Sequence, residues 1–519
     1  MDRQTAVCIP FRIRRVQPAV TKRKIIGPAL ALALCTTALA ACSQGSSSNQ
    51  NASGAPAEQS GISLDRKAEK QLREAIEQAP MHGLKPSLFL KGGESGEALV
   101  QAGLNYASAL ANGYSDPNKL FEVYTIPRQK TDVRAGFQQA LKQGNIGEWL
   151  SSLAPQTPEY KALSAAFARY AKQASQAGAQ EIPSDKPIKP GARDPRIPAV
   201  VAVLRSGGYL ADDQQTQQGG ANGDQPAQPQ AAAAPATYSP QLVAAVKKFQ
   251  ADSGMKPDGV LGKNTIEALS TGPAERARQL AVAMERLRWM QRDPPKTRID
   301  VNTAASFLDY WRDGQHVDHR KVVNGEGDKP TPQLQSPIFQ LVAKPTWNVP
   351  KGIGDKELAA KGQAWLSSNG FTIKDGQYVQ ASGPKNSLGL VKFDMRNNQA
   401  IYLHDTPAKA AFGLDDRHRS HGCVRVENAV QFATALAQQE GISDKFQQAM
   451  QKDDQSFIKL PQEITVRLLY QTAFWDGSRI QFRPDVYGWD ENIAKALELA
   501  PGPPRKIEQP QSSDEDVGP

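Results

Sequence analysis

Ile401-Tyr402-Leu403-His404-Asp405-Thr406-Pro407, and after a polar stretch Ser420-His421-Gly422-Cys423-Val424-Arg425-Val426, form the part of this chain whose reading decides both fold and chemistry. The first segment alternates apolar and polar residues and stops at a proline, the pattern of a strand entering a loop. The second is expected to lead into a helix near Glu427. A thiol there would draw thiolate stability from the helix N-terminus and from an adjacent imidazole, the surroundings a nucleophilic cysteine needs. Gly422 would let a substrate carbonyl approach the backbone N–H groups around Cys423, an oxyanion hole.

Three other readings compete for Cys423. A small buried hydrophobe is one, against which stand its polar neighbours Ser420, His421 and Arg425. A metal site of His418, His421 and Cys423 is the second; it lacks a fourth ligand, and the spacing is not a recurrent ligand pattern, so no metal or cofactor is expected. A papain-like protease is the third, and it places its cysteine well before its histidine, the reverse of the order here.

Outward from this block the texture is that of strands. Asp313-Gly314, Asp375-Gly376, Asn397-Asn398 and Asp476-Gly477 each separate segments rich in Val, Ile, Phe, Tyr and Trp, the strongest local signal for hairpins. Residues 276–490 are therefore expected to form one domain, a helix over Arg276–Trp289 followed by a mostly antiparallel β region from about Thr297 to Trp489, interrupted over 351–390 by an insert. Residues 62–190 are rich in helix formers with apolar spacing such as Leu72 and Ile76, or Leu163, Phe167 and Tyr170, and predict an all-helical scaffold. Between them, 191–275 predicts a small three-helix unit: Leu242, Val246 and Phe249 make one stripe, Gly254 ends it, Asp258-Gly259 turns the chain, and Asn264 or Thr265 caps the next helix. Its segment 211–237 has the Gln/Gly/Ala/Pro composition of a disordered insertion, and the tail 491–519 is expected to be largely disordered. The fold class is thus multidomain α+β.

With 519 residues, 39% hydrophobic and 22% charged, the chain is long enough for more than one core. A mean hydropathy of −0.52 excludes a polytopic membrane protein. The net charge is +9, but residues 1–41 carry seven Lys/Arg against Asp2, leaving only +3 in the remainder, so nucleic acid is not an expected partner. Lys22-Arg23-Lys24 followed by a short apolar run reads as a secretory signal. It ends in Leu39-Ala40-Ala41-Cys42, which resembles a bacterial lipobox. That resemblance implies lipidation at Cys42, a flexible tether over 42–61, and a periplasmic lipoprotein; Ser43 after the cysteine suggests the outer membrane. Cys8 and Cys35 would leave with the signal, so Cys423 would be the one free thiol in an oxidising compartment.

His404 with Ser420-His421-Gly422-Cys423-Val424-Arg425 resembles the catalytic signature of the L,D-transpeptidase (YkuD) family. Lys344-Pro345-Thr346-Trp347-Asn348-Val349-Pro350, Gly383-Pro384-Lys385-Asn386-Ser387-Leu388-Gly389 and Ile401–Pro407 are similar to its large multidomain Gram-negative members. Ala245–Gln250, Gly254, Asp258–Gly262 and Thr265–Leu269 resemble the small peptidoglycan-binding domain of wall enzymes. The resemblance implies formation of 3→3 cross-links between peptidoglycan stem peptides through a cysteine acyl-enzyme, with release of D-Ala. Cys423 would be the nucleophile and His404 the base. Gly422, Tyr402 and Asp405 would build the oxyanion site or orient His404, and Ser420, His421, Arg425 and Trp347 would contact the stem peptide. In the large members the corresponding insert caps the active site, so 351–390 would do so here. A carboxypeptidase or cross-link hydrolase at the same thiol, a transferase attaching an outer-membrane protein to the wall, and a non-catalytic wall-binding lipoprotein are the alternatives.

Overall fold

The computed structural model describes residues 62–176, 182–211 and 236–502. The signal segment, Cys42, the tether, all but the ends of the 211–237 insertion, and the tail beyond 502 lie outside the described residues.

The first core is helical. Helices α1 (Arg66–Glu77), α2 (Gly96–Asn112), α3 (Val133–Gln143), α4 (Ile146–Leu153) and α5 (Pro158–Gln176) follow one another. Asp65 starts α1 by accepting the Ala68 N–H at 2.7 Å, and Leu72 and Ile76, one turn apart, are wholly buried. Gly103 on α2 permits close crossing, since a Cβ there would come within 2.8 Å of Leu72.

The second unit holds α6 (Ile197–Ser206), α7 (Pro240–Asp252) and α8 (Lys263–Leu269) around Val200, Leu204, Tyr238, Leu242, Val246, Leu261 and Ile266. Its turn is fixed from inside: buried Gln250 accepts the Gly259 N–H at 2.8 Å and donates to the Val260 carbonyl at 2.9 Å. The expected cap at Asn264 or Thr265 is replaced. Gly262 is the N-cap without a side-chain bond, and Thr265 turns inward to within 3.2 Å of Gln250 Nε2. This module touches the β domain directly, through Lys256 N–H to Asp415 at 2.9 Å and the Asp252–Arg479 ion pair at 3.0 Å.

Helix α9 (Pro273–Trp289) differs from its sequence assignment. Placed with the β segment by position, it is buried almost all round in the helical core, with Leu280, Val282, Ala283, Met284 and Trp289 packed among residues of α1 to α5. Residues from 491 onward also begin ordered rather than loose: α12 (Trp489–Ala496) buries Ile493 and Ala494, Leu497 follows them into the same core, and Asp490 pairs with Arg286 at 2.6 Å.

The β domain comprises β1 (Arg298–Asn302), β2 (Phe307–Arg312), β3 (Gln315–Gly325), β4 (Leu334–Ala343), β5 (Val391–Met395), β6 (Leu403–His404), β7 (His418–Ser420), β8 (Val424–Val426) and β9 (Ser456–Leu469), with helices α10 (Ala429–Gln439) and α11 (Ser443–Gln451) before the last strand. Strand order is β7-β3-β8-β6-β5-β4-β9-β1-β2, and β2 also pairs with β3, so eight of the strands close on themselves and leave β7 as an appendage. Three pairings, β6–β8, β7–β3 and β9–β1, are parallel and the rest antiparallel. Closure removes open edges and gives a core of Ile299, Val301, Leu341, Phe393, Leu403, Val424 and Phe432. Asp313-Gly314 turns β2 into β3 with both φ angles positive, the geometry of a two-residue hairpin. Asn397-Asn398 sits instead in a longer loop, where Asn397 Oδ1 accepts the N–H groups of Gln399 and Ile401, both at 3.1 Å.

The insert has its own small core of Trp347, Val349, Leu358, Leu366, Phe371 and Leu388, against which Tyr402 packs. Its hairpin, Phe371–Lys374 with Gln377–Gln380, turns at Asp375-Gly376.

Candidate active site

Strands β5, β6 and β8 lie side by side and set the site by register. His404 faces Lys392 on β5 and Arg425 on β8, and the Val424 N–H donates to the Tyr402 carbonyl at 3.1 Å, which seats Cys423 beside Tyr402. Because side chains alternate along a strand, Leu403, Phe393 and Val424 go to the apolar core while Tyr402 and His404 share the other face. The two rings meet edge to face at 5.7 Å.

His404 is wholly buried. Its Nδ1 lies 2.5 Å from the Asp405 carbonyl. A carbonyl only accepts, so Nδ1 carries the proton and Nε2 presents its lone pair. Nε2 is buried and has no hydrogen-bond partner among the described residues. Burial first, then the cations of Arg425, Lys392 and Lys409, hold the imidazole pKa well below its ordinary value, while the Asp405 carbonyl opposes the shift. The ring is therefore neutral, in the tautomer of a base.

Cys423 is the free cysteine of the described residues and is 5% exposed. Its thiol reaches the Ala400 carbonyl at 3.7 Å. Burial pushes its pKa up to about 11, against the opposing pull of Tyr402, Lys392 and Arg425. The expected helix-terminus effect is missing for a geometric reason: β8 intervenes, α10 begins at Ala429, and a helix dipole fades within one turn. The resting group is a thiol.

The loop before it is locked. Ser420 Oγ donates to the Cys423 carbonyl at 2.6 Å and accepts the Gly422 N–H at 3.2 Å; Thr331 Oγ1 donates to the Gly422 carbonyl at 2.8 Å and accepts from Gly325 N–H at 2.8 Å. Gly422 has φ +115°, which a side chain would strain. Its N–H is used in the loop, so its part is conformational. Ser420, expected to meet substrate, is wholly buried and serves the loop. Trp347, also expected to meet substrate, is 1% exposed and fills the insert core, its ring edge to face with Phe371 at 6.3 Å. Arg425 is buried on β8 beside His404. His421 faces the insert and bonds Glu357, which also lies 3.7 Å from Lys329. Burial raises the Glu357 pKa, but His421 and Lys329 together bring it below the usual carboxylate value. The Asp405 carboxylate accepts the Leu390 N–H at 3.0 Å and pairs with Lys409, tying the insert's end to the loop after His404.

His418 lies apart from the thiol's polar partners: its Nδ1 bonds Asp416 at 2.7 Å and its Nε2 the Thr303 carbonyl at 2.9 Å. Lys392 was not legible as a site residue. It stands over the Tyr402 ring at 4.2 Å and pairs with Asp394 at 2.6 Å, a placement that depends on β5–β6 register and has no motif.

Residues 296–442 match the L,D-transpeptidase catalytic domain, YkuD; residues 62–167 match a scaffold domain; residues 227–269 match a domain described as "Putative peptidoglycan binding domain". A curated protein of Haemophilus influenzae, described as "Putative L,D-transpeptidase", is 29% identical over 219 residues, which cover 38% of this chain and 45% of that protein. The chain thus matches less than half the length of that relative. Among solved structures, an L,D-transpeptidase from Xylanimonas cellulosilytica is 16% identical, covering 55% of this chain and 98% of its own with a TM-score of 0.19. One from Stackebrandtia nassauensis is 14% identical, covering 52% and 88% with a TM-score of 0.21.

Proposed function

On the premise that this chain carries an L,D-transpeptidase catalytic domain of the YkuD family together with a peptidoglycan-binding domain, we propose that it forms 3→3 cross-links in peptidoglycan through a thioester on Cys423. The observation that supports this most is His404: buried, neutral, its Nδ1–H committed to the Asp405 carbonyl and its Nε2 open, on the strand beside Cys423.

The thiol of Cys423 attacks the carbonyl of the third residue of a tetrapeptide stem, a diaminoacid, as His404 Nε2 takes its proton. In the resting protein the thiol lies 3.7 Å from the Ala400 carbonyl and also interacts with Tyr402, and its proton passes to Nε2 once substrate is bound. The Cys423 N–H and the Tyr402 hydroxyl are the donors suited to the developing oxyanion. The C–N bond to the terminal D-Ala then breaks, and the imidazolium returns its proton to the leaving amine. The side-chain amine of a second stem's diaminoacid attacks the thioester, gives a proton to His404, and expels the thiolate, which is reprotonated. The insert, held by Glu357 to His421, excludes water and so favours the amine over hydrolysis. Lipidation at Cys42 and an outer-membrane position in the periplasm complete the proposal, with the helical module holding glycan near the site.

The test is incubation of the soluble chain with purified disaccharide-tetrapeptide, followed by mass spectrometry of the products. Dimers linked 3→3, with free D-Ala in equal amount, are expected, as is a protein adduct lost in Cys423→Ala. Tripeptide without dimers would assign the site to hydrolysis; no turnover with an intact wall-binding module would overturn the enzyme reading.

A further inference from the structure

Away from the active site, one set of side chains among the described residues brings three metal-binding atoms within 4.8 Å of one another: Asp309 on β2 with His316 and His319 on β3. In a regular strand, residues three apart point to opposite faces. These two do not, because β3 is bulged. Asp309 faces His319 and Tyr310 faces Asp318, but Trp311 faces His316, so Val317 is the extra residue. The bulge brings Asp309, Trp311, His316 and His319 onto one side of the hairpin. His316 Nε2 and His319 Nδ1 both lie 2.8 Å from the same oxygen, Asp309 Oδ1. Two rings flank the cluster and set the imidazole planes, Trp311 against His316 at 5.1 Å and Phe307 against His319 at 5.3 Å. The next carboxylate, Asp318, is engaged by Arg320 at 2.7 Å.

We propose that Asp309, His316 and His319 bind a divalent cation of the zinc class, with water completing the shell, and that the ion clips β2 to β3 at the bulge. Two imidazole nitrogens and one carboxylate oxygen suit zinc, nickel or copper and are a poor set for calcium or magnesium, which prefer all-oxygen shells. The ion takes the lone pairs of His316 Nε2 and His319 Nδ1; each neutral ring then keeps its one proton on its other nitrogen, and any second proton that an imidazolium carried passes to solvent. The two histidines are solvent-accessible, 43% and 58% exposed in their side chains, so the ion can enter without opening the fold. The role is structural: β3 runs from this cluster to Gly325, whose N–H meets Thr331 beneath the catalytic loop.

The experiment uses the full chain with Cys8, Cys35, Cys42 and Cys423 all changed to Ala, which removes the competing thiols, after chelator treatment. Zinc chloride is titrated by calorimetry and the unfolding midpoint is followed with and without zinc. One zinc-dependent binding event and a rise in the midpoint are expected, both lost in His316→Ala and in His319→Ala. His319→Gln keeps a donor to Asp309 but is a poor zinc ligand, so it should match the parent's midpoint in chelator while losing the rise. Nickel should quench part of the tryptophan emission, and Trp311→Phe should remove that part. A zinc response that survives in both alanine variants, or no zinc-dependent rise in the parent, overturns the proposal.

Discussion

Two buried polar clusters in this molecule each hold a neutral histidine near an arginine, and they differ in how completely their polar atoms are paired. In the helical core, Glu285 accepts from the Ser115 N–H and hydroxyl at 2.6 and 2.7 Å, from Trp289 Nε1 at 3.1 Å and from Arg288 at 3.0 and 2.6 Å, while Arg288 reaches the His82 carbonyl and the Tyr160 hydroxyl, each at 2.8 Å. Each charge meets its opposite and each bond has a geometry. His82, bonded to the Tyr160 hydroxyl at 3.1 Å, is held neutral by burial and then by Arg288, its pKa lowered to about 4. In the β domain His404 is neutral for the same reason, burial aided by Arg425, yet its Nε2 has no hydrogen-bond partner among the described residues. Burial with full pairing makes a fastener. Burial with one open valence is what the proposed reaction needs of a reagent.

The largest effect that separates them is on turnover. Cys423→Ala should remove activity by on the order of 10⁶-fold, the loss seen when a nucleophile is deleted from a coupled set. His404→Ala should cost about 10²–10⁴-fold, the worth of a positioned base, with the unfolding midpoint little changed. Activity measured on tetrapeptide substrate with circular dichroism alongside checks both. Full turnover in His404→Ala would make His404 a second His82, a neutral packing group.

The thiol itself gives the next. With its pKa raised to about 11, the reactive thiolate is scarce at neutral pH and grows tenfold per unit as pH rises toward that value. Alkylation of the resting protein by iodoacetamide should therefore accelerate about a thousandfold between pH 7 and pH 10. A rate already flat at pH 7 would mean that the thiolate is preformed, and that proton transfer to His404 precedes substrate.

For the fastener the expected loss is in stability. Glu285→Ala leaves Arg288 buried with its main counter-charge gone, which costs about 3–5 kcal/mol. Chemical unfolding should show this, while kcat for the folded fraction stays at the parent value. A variant equally stable and less active would mean that the helical core transmits to the site.

The contrast also explains what the amino-acid sequence discloses. Local signals survive: the Asp313-Gly314 and Asp375-Gly376 turns, the Leu72/Ile76 stripe, and a cysteine and histidine in strand-loop contexts are each written within a few residues. The helix over 276–289 is legible but its place is not, because Arg286 meets Asp490 and Arg278 meets Glu491 some two hundred positions away, so a helix assigned with the β domain is buried in the helical core by partners beyond any window. The closing of the sheet, the register that brings Lys392 to Tyr402, and the short β8 that moves Cys423 off the helix terminus are likewise long-range facts. The bulge at Val317 is the sharpest case. Without it, the i, i+3 spacing of His316 and His319 argues against a shared face.

The smallest effect tests a contact intermediate between the two clusters. Glu357 on the insert meets His421 from the catalytic loop and Lys329 from the turn after β3, with its side chain 27% exposed and Lys329 35% exposed. A pair open to water is worth about 0–1 kcal/mol, and salt weakens it further. Glu357→Gln keeps the shape and a hydrogen bond but discharges the contact, so the insert should open more often while the chemistry of Cys423 and His404 is untouched. The expected outcome is a change in kcat/KM of no more than about fivefold at low salt, shrinking toward none as salt is raised, with hydrolysis gaining on cross-linking because water enters the open state. The ratio of tripeptide to 3→3 dimer across a salt series reads this directly. A ratio that stays fixed while total turnover collapses would place Glu357 in the chemistry itself, and the insert would then belong with the reagent rather than with its cover.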